Sequence, residues 1–119
     1  MGTGGGVVRP FYALLALLWM GVLWWLSERP FPGARLPHPW DKLAHFLAYA
    51  LLGALWRRGL GRFLPAFLLA AFYGVVDEAH QSLVPGREAV GLDFVADFLG
   101  AYVGARGAGR WEAPEASRP

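Results

Sequence analysis

Polar residues along this chain are not spread around helical faces. They collect at the ends of long apolar runs. Four such runs occur: residues 11–26 (FYALLALLWMGVLWWL), 43–56 (LAHFLAYALLGALW), 63–76 (FLPAFLLAAFYGVV) and 90–105 (VGLDFVADFLGAYVGA). The first holds no charge. The second is interrupted only by His45, the third continues through Asp77, Glu78, His80 and Gln81 to Val84, and the fourth holds Asp93 and Asp97. No run alternates with the period of a strand, so the pattern predicts an all-α protein of four helices. A bilayer core of about 30 Å needs about 20 helical residues. The first run approaches that length unaided, and the others reach it when their polar ends are counted as helix. A soluble four-helix bundle would need a polar stripe along each helix, which these runs lack. The expectation is a four-transmembrane-helix bundle.

Helical spacing sorts the polar residues further. Asp41, His45, Tyr49 and Gly53 recur every four residues and share one face. Tyr73, Asp77 and Gln81 form a second stripe with Glu78 beside it, and Asp93, Asp97 and Ala101 form a third. Gly100 and Gly104 make a small-xxx-small pair that permits close helix contact. An ionisable group facing lipid costs roughly 2.5–3.5 kcal/mol on insertion scales. All three stripes are therefore expected to turn inward and enclose a polar pocket. The first run carries no stripe and is expected to act as an apolar buttress.

Composition supports lipid over water around much of the surface. Hydrophobic residues make up 55% and charged residues 17% of the 119-residue chain, where a soluble domain carries about 25% charged residues. Mean hydropathy is +0.34. A net charge of +2 is too weak a field for a nucleic-acid partner, and the absence of cysteine excludes disulfides and thiolate chemistry. Seven basic residues (Arg9, Arg57, Arg58, Arg62, Arg106, Arg110, Arg118) fall in the N-terminus, second connection and tail; four (Arg29, Arg35, Lys42, Arg87) fall in the first and third connections. The positive-inside rule then puts both termini in the cytoplasm. The polar stripes end at the outer face, with Trp24, Trp25 and Trp40 at the outer interface and Trp56 and Trp111 at the inner one. No small-x-small cleavage site follows the first run, and residue 6 is not the Ser or Thr of a myristoylation signal. The expected organisation is an N-terminal tail at 1–9, a membrane domain at 10–106 and a disordered tail at 107–119. The expected location is the cell's inner membrane, as a multi-pass protein with the bilayer as its partner.

Several of these residues have chemistry to offer. Asp77 and Glu78 are adjacent, so they point about 100° apart and cannot form a tight dyad. Either is a candidate general base, with His45 as a third candidate catalytic group. The bland alternative is an ion-pair network, since buried carboxylates need partners such as Lys42 or Arg87. Arg87 follows VPG, which reads as a turn, and is placed to clamp a phosphate or carboxylate. Asp41, Lys42, Tyr49, Gln81, Asp93 and Asp97 complete the candidate ligand-binding set. His80 reads as an interface residue. Around His45 there is no His-x-x-x-His or Glu-x-x-His spacing, so no metal site and no cofactor are expected. No phosphate loop follows a strand, and Ser82 has no nucleophile-elbow motif around it.

The blocks DKLAHFLAYALLG, YGVVDEAHQSLVPGRE and LDFVADFLGAYVGA together resemble the VanZ-like family of small bacterial membrane proteins. The family pattern falls on Asp41, Lys42 and His45; on Asp77, Glu78 and Gln81; on Arg87; on Asp93; and on Gly100 and Gly104. Asp97 departs from it, standing where the family usually has Asn. The resemblance implies four transmembrane helices, and the family's namesake is associated with low-level resistance to the glycopeptide antibiotic teicoplanin. Two functions follow as expectations. The outer pocket binds or modifies an amphiphilic envelope component, a glycopeptide or lipid-linked head group; whether a reaction follows stays open. Alternatively the chain is a non-enzymatic membrane scaffold whose charged cluster is structural and whose partner is another protein. A third idea, proton-coupled solute movement, would require such a small chain to form a homo-oligomer.

Overall fold

The computed structural model describes residues 7–27, 40–83 and 91–116. These form four helices, α1 (Pro10–Ser27), α2 (Trp40–Leu60), α3 (Phe63–Gln81) and α4 (Gly91–Ala116), with no strand among the described residues. The all-α expectation is met. Pro10 opens α1, where its fixed φ suits the first helical position and its missing N–H costs nothing. Pro65 is tolerated for the same reason in the first turn of α3. Between α2 and α3 the chain reverses within two residues. Gly61 makes this possible at φ 79°, a left-handed conformation that glycine adopts without a Cβ clash, and its N–H bonds Arg57 O at 2.8 Å.

α2 and α3 are the central pair, and α1 and α4 flank them without touching each other among the described residues. α1 runs antiparallel to α2, tied by Arg9 N–H to Gly59 O at 2.9 Å and by the Trp19 indole to Ala48 O at 2.9 Å. α3 lies parallel to α1, with the Tyr73 hydroxyl donating to Met20 O at 2.7 Å. Against α4 it stacks aromatic edges, Phe63 and Phe67 meeting Phe98 and Tyr102. The most extensive interface joins α2 and α4, which run parallel. It is closed by glycine: a Cβ at Gly100 or Gly104 would strike the carbonyl of Phe46 or Ala50.

Most of what the helices bury is small or ionisable, and most of what they expose is large and apolar. The interior holds Ala16, Ala66, Ala70, Ala101 and Ala105, with Leu23, Tyr49, Leu52 and Trp56 the bulky apolar members. Glu78 and Asp97 are 0% exposed, whereas Leu68 is 53% and Phe72 66% exposed. Every helix follows this inverted pattern, with Leu17, Leu51, Phe72 and Leu99 as one outward example from each. α1 and α3 are long and apolar enough to cross a membrane. α2 and α4 match that length, at about 31 and 39 Å by helical rise, but carry more charge.

One boundary differs from the sequence reading. α4 does not stop near residue 106 but continues to Ala116. Arg57, at the end of α2, donates to Ala105 O at 3.3 Å and lies against Gly109, so the neighbouring helix supports the extra turns. Ala, Arg and Glu in that stretch are strong helix formers.

Candidate functional site

Three helices deliver ionisable side chains to one end of the bundle. From α2 comes His45, whose two ring nitrogens face different carboxylates. Nδ1 lies 3.0 Å from Asp97 Oδ1 and 3.5 Å from Glu78 Oε2, while Nε2 lies 3.7 Å from Asp93 Oδ2. One turn earlier on α2, Lys42 Nζ pairs with Asp93 Oδ1 at 2.8 Å. Asp93 sits in the first turn of α4, where the helix dipole also favours a negative charge. Glu78, Asp93 and Asp97 are all buried, as is Asp77. Apart from the Asp97 carboxyl beside it, neither oxygen of Glu78 has a hydrogen-bond partner, and Asp97 Oδ2 has none but Glu78.

A second group sits beside this cluster. The Tyr49 hydroxyl donates to Asp77 Oδ2 at 3.0 Å, and the Gln81 amide approaches the same oxygen at 3.5 Å. Gly74 lets α3 come this close. A Cβ there would lie 3.2 Å from Asp97 Cβ and 3.4 Å from the Tyr49 ring, crowding both groups.

Between α1, α2 and α3 lies a cavity of about 530 Å³. Trp19, Leu23, Leu26, Leu47 and Leu51 line its apolar part, and Ser27, His45, Tyr49, Asp77 and Gln81 line its polar part. The opposite end of the bundle is basic. Arg58 lies over the Tyr12 ring and Arg106 over the Phe63 ring, 3.9 Å from its centroid.

The sequence stripes converge as expected for His45, Tyr49, Asp77, Gln81, Asp93 and Asp97. Lys42 joins them, with Asp93 as its carboxylate partner. Glu78 was matched from spacing with Lys42 or Arg87; among the described residues its nearest basic group is His45. Arg87 lies outside the described residues, as does the side chain of Asp41. Tyr73 stays with its stripe, its ring stacked on Tyr49 at 6.4 Å, while its hydroxyl reaches Met20 O on α1. α1 is also more than a buttress. Ser27 Oγ donates to Trp24 O and lies 3.0 Å from His80 Nδ1, and the His80 ring stacks on Trp24 at 3.7 Å. His80 is thus the interface residue expected. A lone Ser after an unbroken apolar run gave no periodic signal for the part of Ser27, whereas Gly74 could have been found from its small-xxx-small spacing with Ala66 and Ala70.

No local metal motif marks the sequence, yet three potential ligands meet in space. His45, Glu78 and Asp97 each present a ligand atom, and the three atoms lie within 4.8 Å of one another. They come from three helices, so no local spacing announces them.

Fold and site together define an all-α bundle with an apolar exterior and a buried acidic–imidazole cluster at one end. The chain belongs to the VanZ/LLP1 family, whose model matches residues 8–108. No curated protein and no solved structure matches it.

Proposed function

We propose that the chain is a multi-pass inner-membrane protein whose cavity holds one amphiphilic cell-envelope molecule. The observation that carries this reading is the make-up of the cavity: leucine and tryptophan walls along α1 and α2, ending on His45, Tyr49, Asp77 and Gln81. An acyl or prenyl chain suits the walls, and a hydrogen-bonding head group suits the polar end. A volume of about 530 Å³ is within the range of small-molecule sites. The inverted burial pattern supports four spans, because α2 and α4 expose Leu47, Leu51, Leu99 and Val103 as fully as the two more apolar helices expose theirs. With the termini in the cytoplasm, the cluster opens toward the outer face and the Arg-rich end meets the inner leaflet. His45, Asp77 and Glu78 would handle protons at the head group; Lys42 and Arg87 would favour an anionic one.

The scaffold reading draws support from the Lys42–Asp93 pair and the His45 contacts, which lock α2 to α4. The two readings part at the cavity. Protein in lipid nanodiscs is irradiated with a photo-reactive polyprenyl-phosphate probe. Labelling concentrated on α1 and α2 around Ala48, and lost in Ala48→Trp, supports the amphiphile site. Equal labelling of the outer faces in both proteins contradicts it and favours the scaffold. Because the family's namesake concerns teicoplanin, glycopeptide susceptibility of cells with and without the gene is the matching cellular readout.

A further inference from the structure

We propose that His45, Glu78 and Asp97 are the protein ligands of a divalent first-row transition cation, with Asp93 as the carboxylate that orients His45. The site does not depend on an amphiphile in the neighbouring cavity; with the cation bound, Asp77 alone of the three proton-handling groups stays free to serve a head group there.

The geometry fits an ion. Donors about 2.1 Å from a tetrahedral cation lie about 3.4 Å apart, and adjacent donors of an octahedral one about 3.0 Å apart. His45 Nδ1 is 3.0 Å from Asp97 Oδ1 and 3.5 Å from Glu78 Oε2. The third separation is within 4.8 Å, so modest side-chain movement closes the set.

Hydrogen bonding and charge point the same way. Glu78 is fully buried, yet apart from the Asp97 carboxyl beside it neither of its oxygens has a hydrogen-bond partner, and Asp97 Oδ2 has none but Glu78. Buried carboxylate oxygens left so are costly. Lys42 is engaged by Asp93. Among the described residues, His45 is the one basic group within 4 Å of Glu78 or Asp97. A cation would satisfy the open oxygens and offset two formal negative charges.

The surroundings of His45 add an independent feature. A metal-bound imidazole almost always gives its other N–H to a carboxylate or carbonyl, which fixes the ring and its tautomer. Here Nδ1 faces the two open carboxylates while Nε2 faces Asp93 Oδ2 at 3.7 Å, and Lys42 anchors the other oxygen of Asp93. In the cation-free protein one hydrogen bond joins Nδ1 and Asp97; the cation takes the place of that shared proton. One imidazole with two carboxylates, and no thiolate anywhere in the chain, suits Zn²⁺, Mn²⁺ or Fe²⁺ better than soft Cu⁺. Three protein ligands leave a coordination position open, and His45 also lines the cavity.

The test uses the metal alone. Full-length protein in mild detergent is stripped with a chelator and titrated by calorimetry with Zn²⁺, Mn²⁺ and Fe²⁺, with melting followed in parallel. The expected result is one cation per chain and a raised melting temperature. Glu78→Gln and Asp97→Asn each lose binding, Asp93→Asn weakens it about 10–100-fold, and His80→Gln, removing an imidazole outside the set, leaves it unchanged. Wild-type protein that binds none of the three cations overturns the proposal. So does binding that survives in both Glu78→Gln and Asp97→Asn.

Discussion

Replacing Gly53 with Ala tests how tightly α2 and α4 are joined, and an equivalent change at Gly21 calibrates it. A Cβ at Gly53 would lie 2.5 Å from Ala101 O and 3.1 Å from Ala105 N, both backbone atoms that no rotamer change can move. Ordinary contact begins at 3.4 Å, so the helices must separate by 3.4 − 2.5 = 0.9 Å. A gap approaching 1 Å forfeits a quarter to a half of each dispersion contact it opens, and overpacking of this kind costs about 1–3 kcal/mol. Alanine also returns up to about 1 kcal/mol of helix propensity. That gain is shared by Gly21→Ala, where the new methyl meets nothing within 4 Å. The difference between the two variants therefore isolates the clash. Thermal unfolding in a single detergent should place Gly53→Ala about 1–3 kcal/mol below Gly21→Ala. Because His45 and Asp97 face each other across the same interface, the clash should also disturb the cluster. Equal stabilities for the two variants would refute the close packing of α2 on α4.

Other outcomes follow from single contacts. Tyr49→Phe deprives buried Asp77 of its 3.0 Å donor and should cost about 1.5–3 kcal/mol in the same unfolding assay, the range for hydrogen bonds to charged groups. Ser27→Ala removes the hydroxyl beside His80 and should cost about 1 kcal/mol, with no loss of the Trp24–His80 stack, which tryptophan fluorescence quenching would report. Asp77→Asn keeps the shape of the side chain; under the amphiphile reading it lowers probe labelling while the melting temperature holds, whereas under the scaffold reading the melting temperature falls as well. A reporter fused after Pro119 should be active only in the cytoplasm, and activity on the outside would reverse the orientation.

The sequence disclosed the site unevenly. Period-four spacing correctly grouped His45 with Tyr49, and Asp93 with Asp97, because residues four apart on a helix share a face whatever surrounds them. It also placed Tyr73 with Asp77: the Tyr73 ring stacks on Tyr49 while its hydroxyl reaches Met20 O on α1. A stripe gives a direction on one helix and says nothing of which neighbours lie there. The same limit hid which carboxylates His45 would meet, a pairing set by the relative rotation of three helices. Gly100 and Gly104 were legible as a close-approach pair; Ala66, Ala70 and Gly74 keep the same four-residue spacing and are all buried, a repeat the sequence reading passed over. The end of α4 was misplaced because a Gly-rich polar segment reads as disorder when the support of Arg57 is invisible.

The central claim is that all four helices turn their large apolar side chains to lipid and their ionisable ones to each other. The natural absence of cysteine allows a direct test with single Cys substitutions at Leu17, Leu51, Phe72 and Leu99, each spin-labelled in a bilayer. The account predicts that all four labels collide with dissolved oxygen and are shielded from a water-soluble relaxation agent. Labels at positions 51 and 99 that prove open to the aqueous agent, while those at 17 and 72 do not, would contradict it.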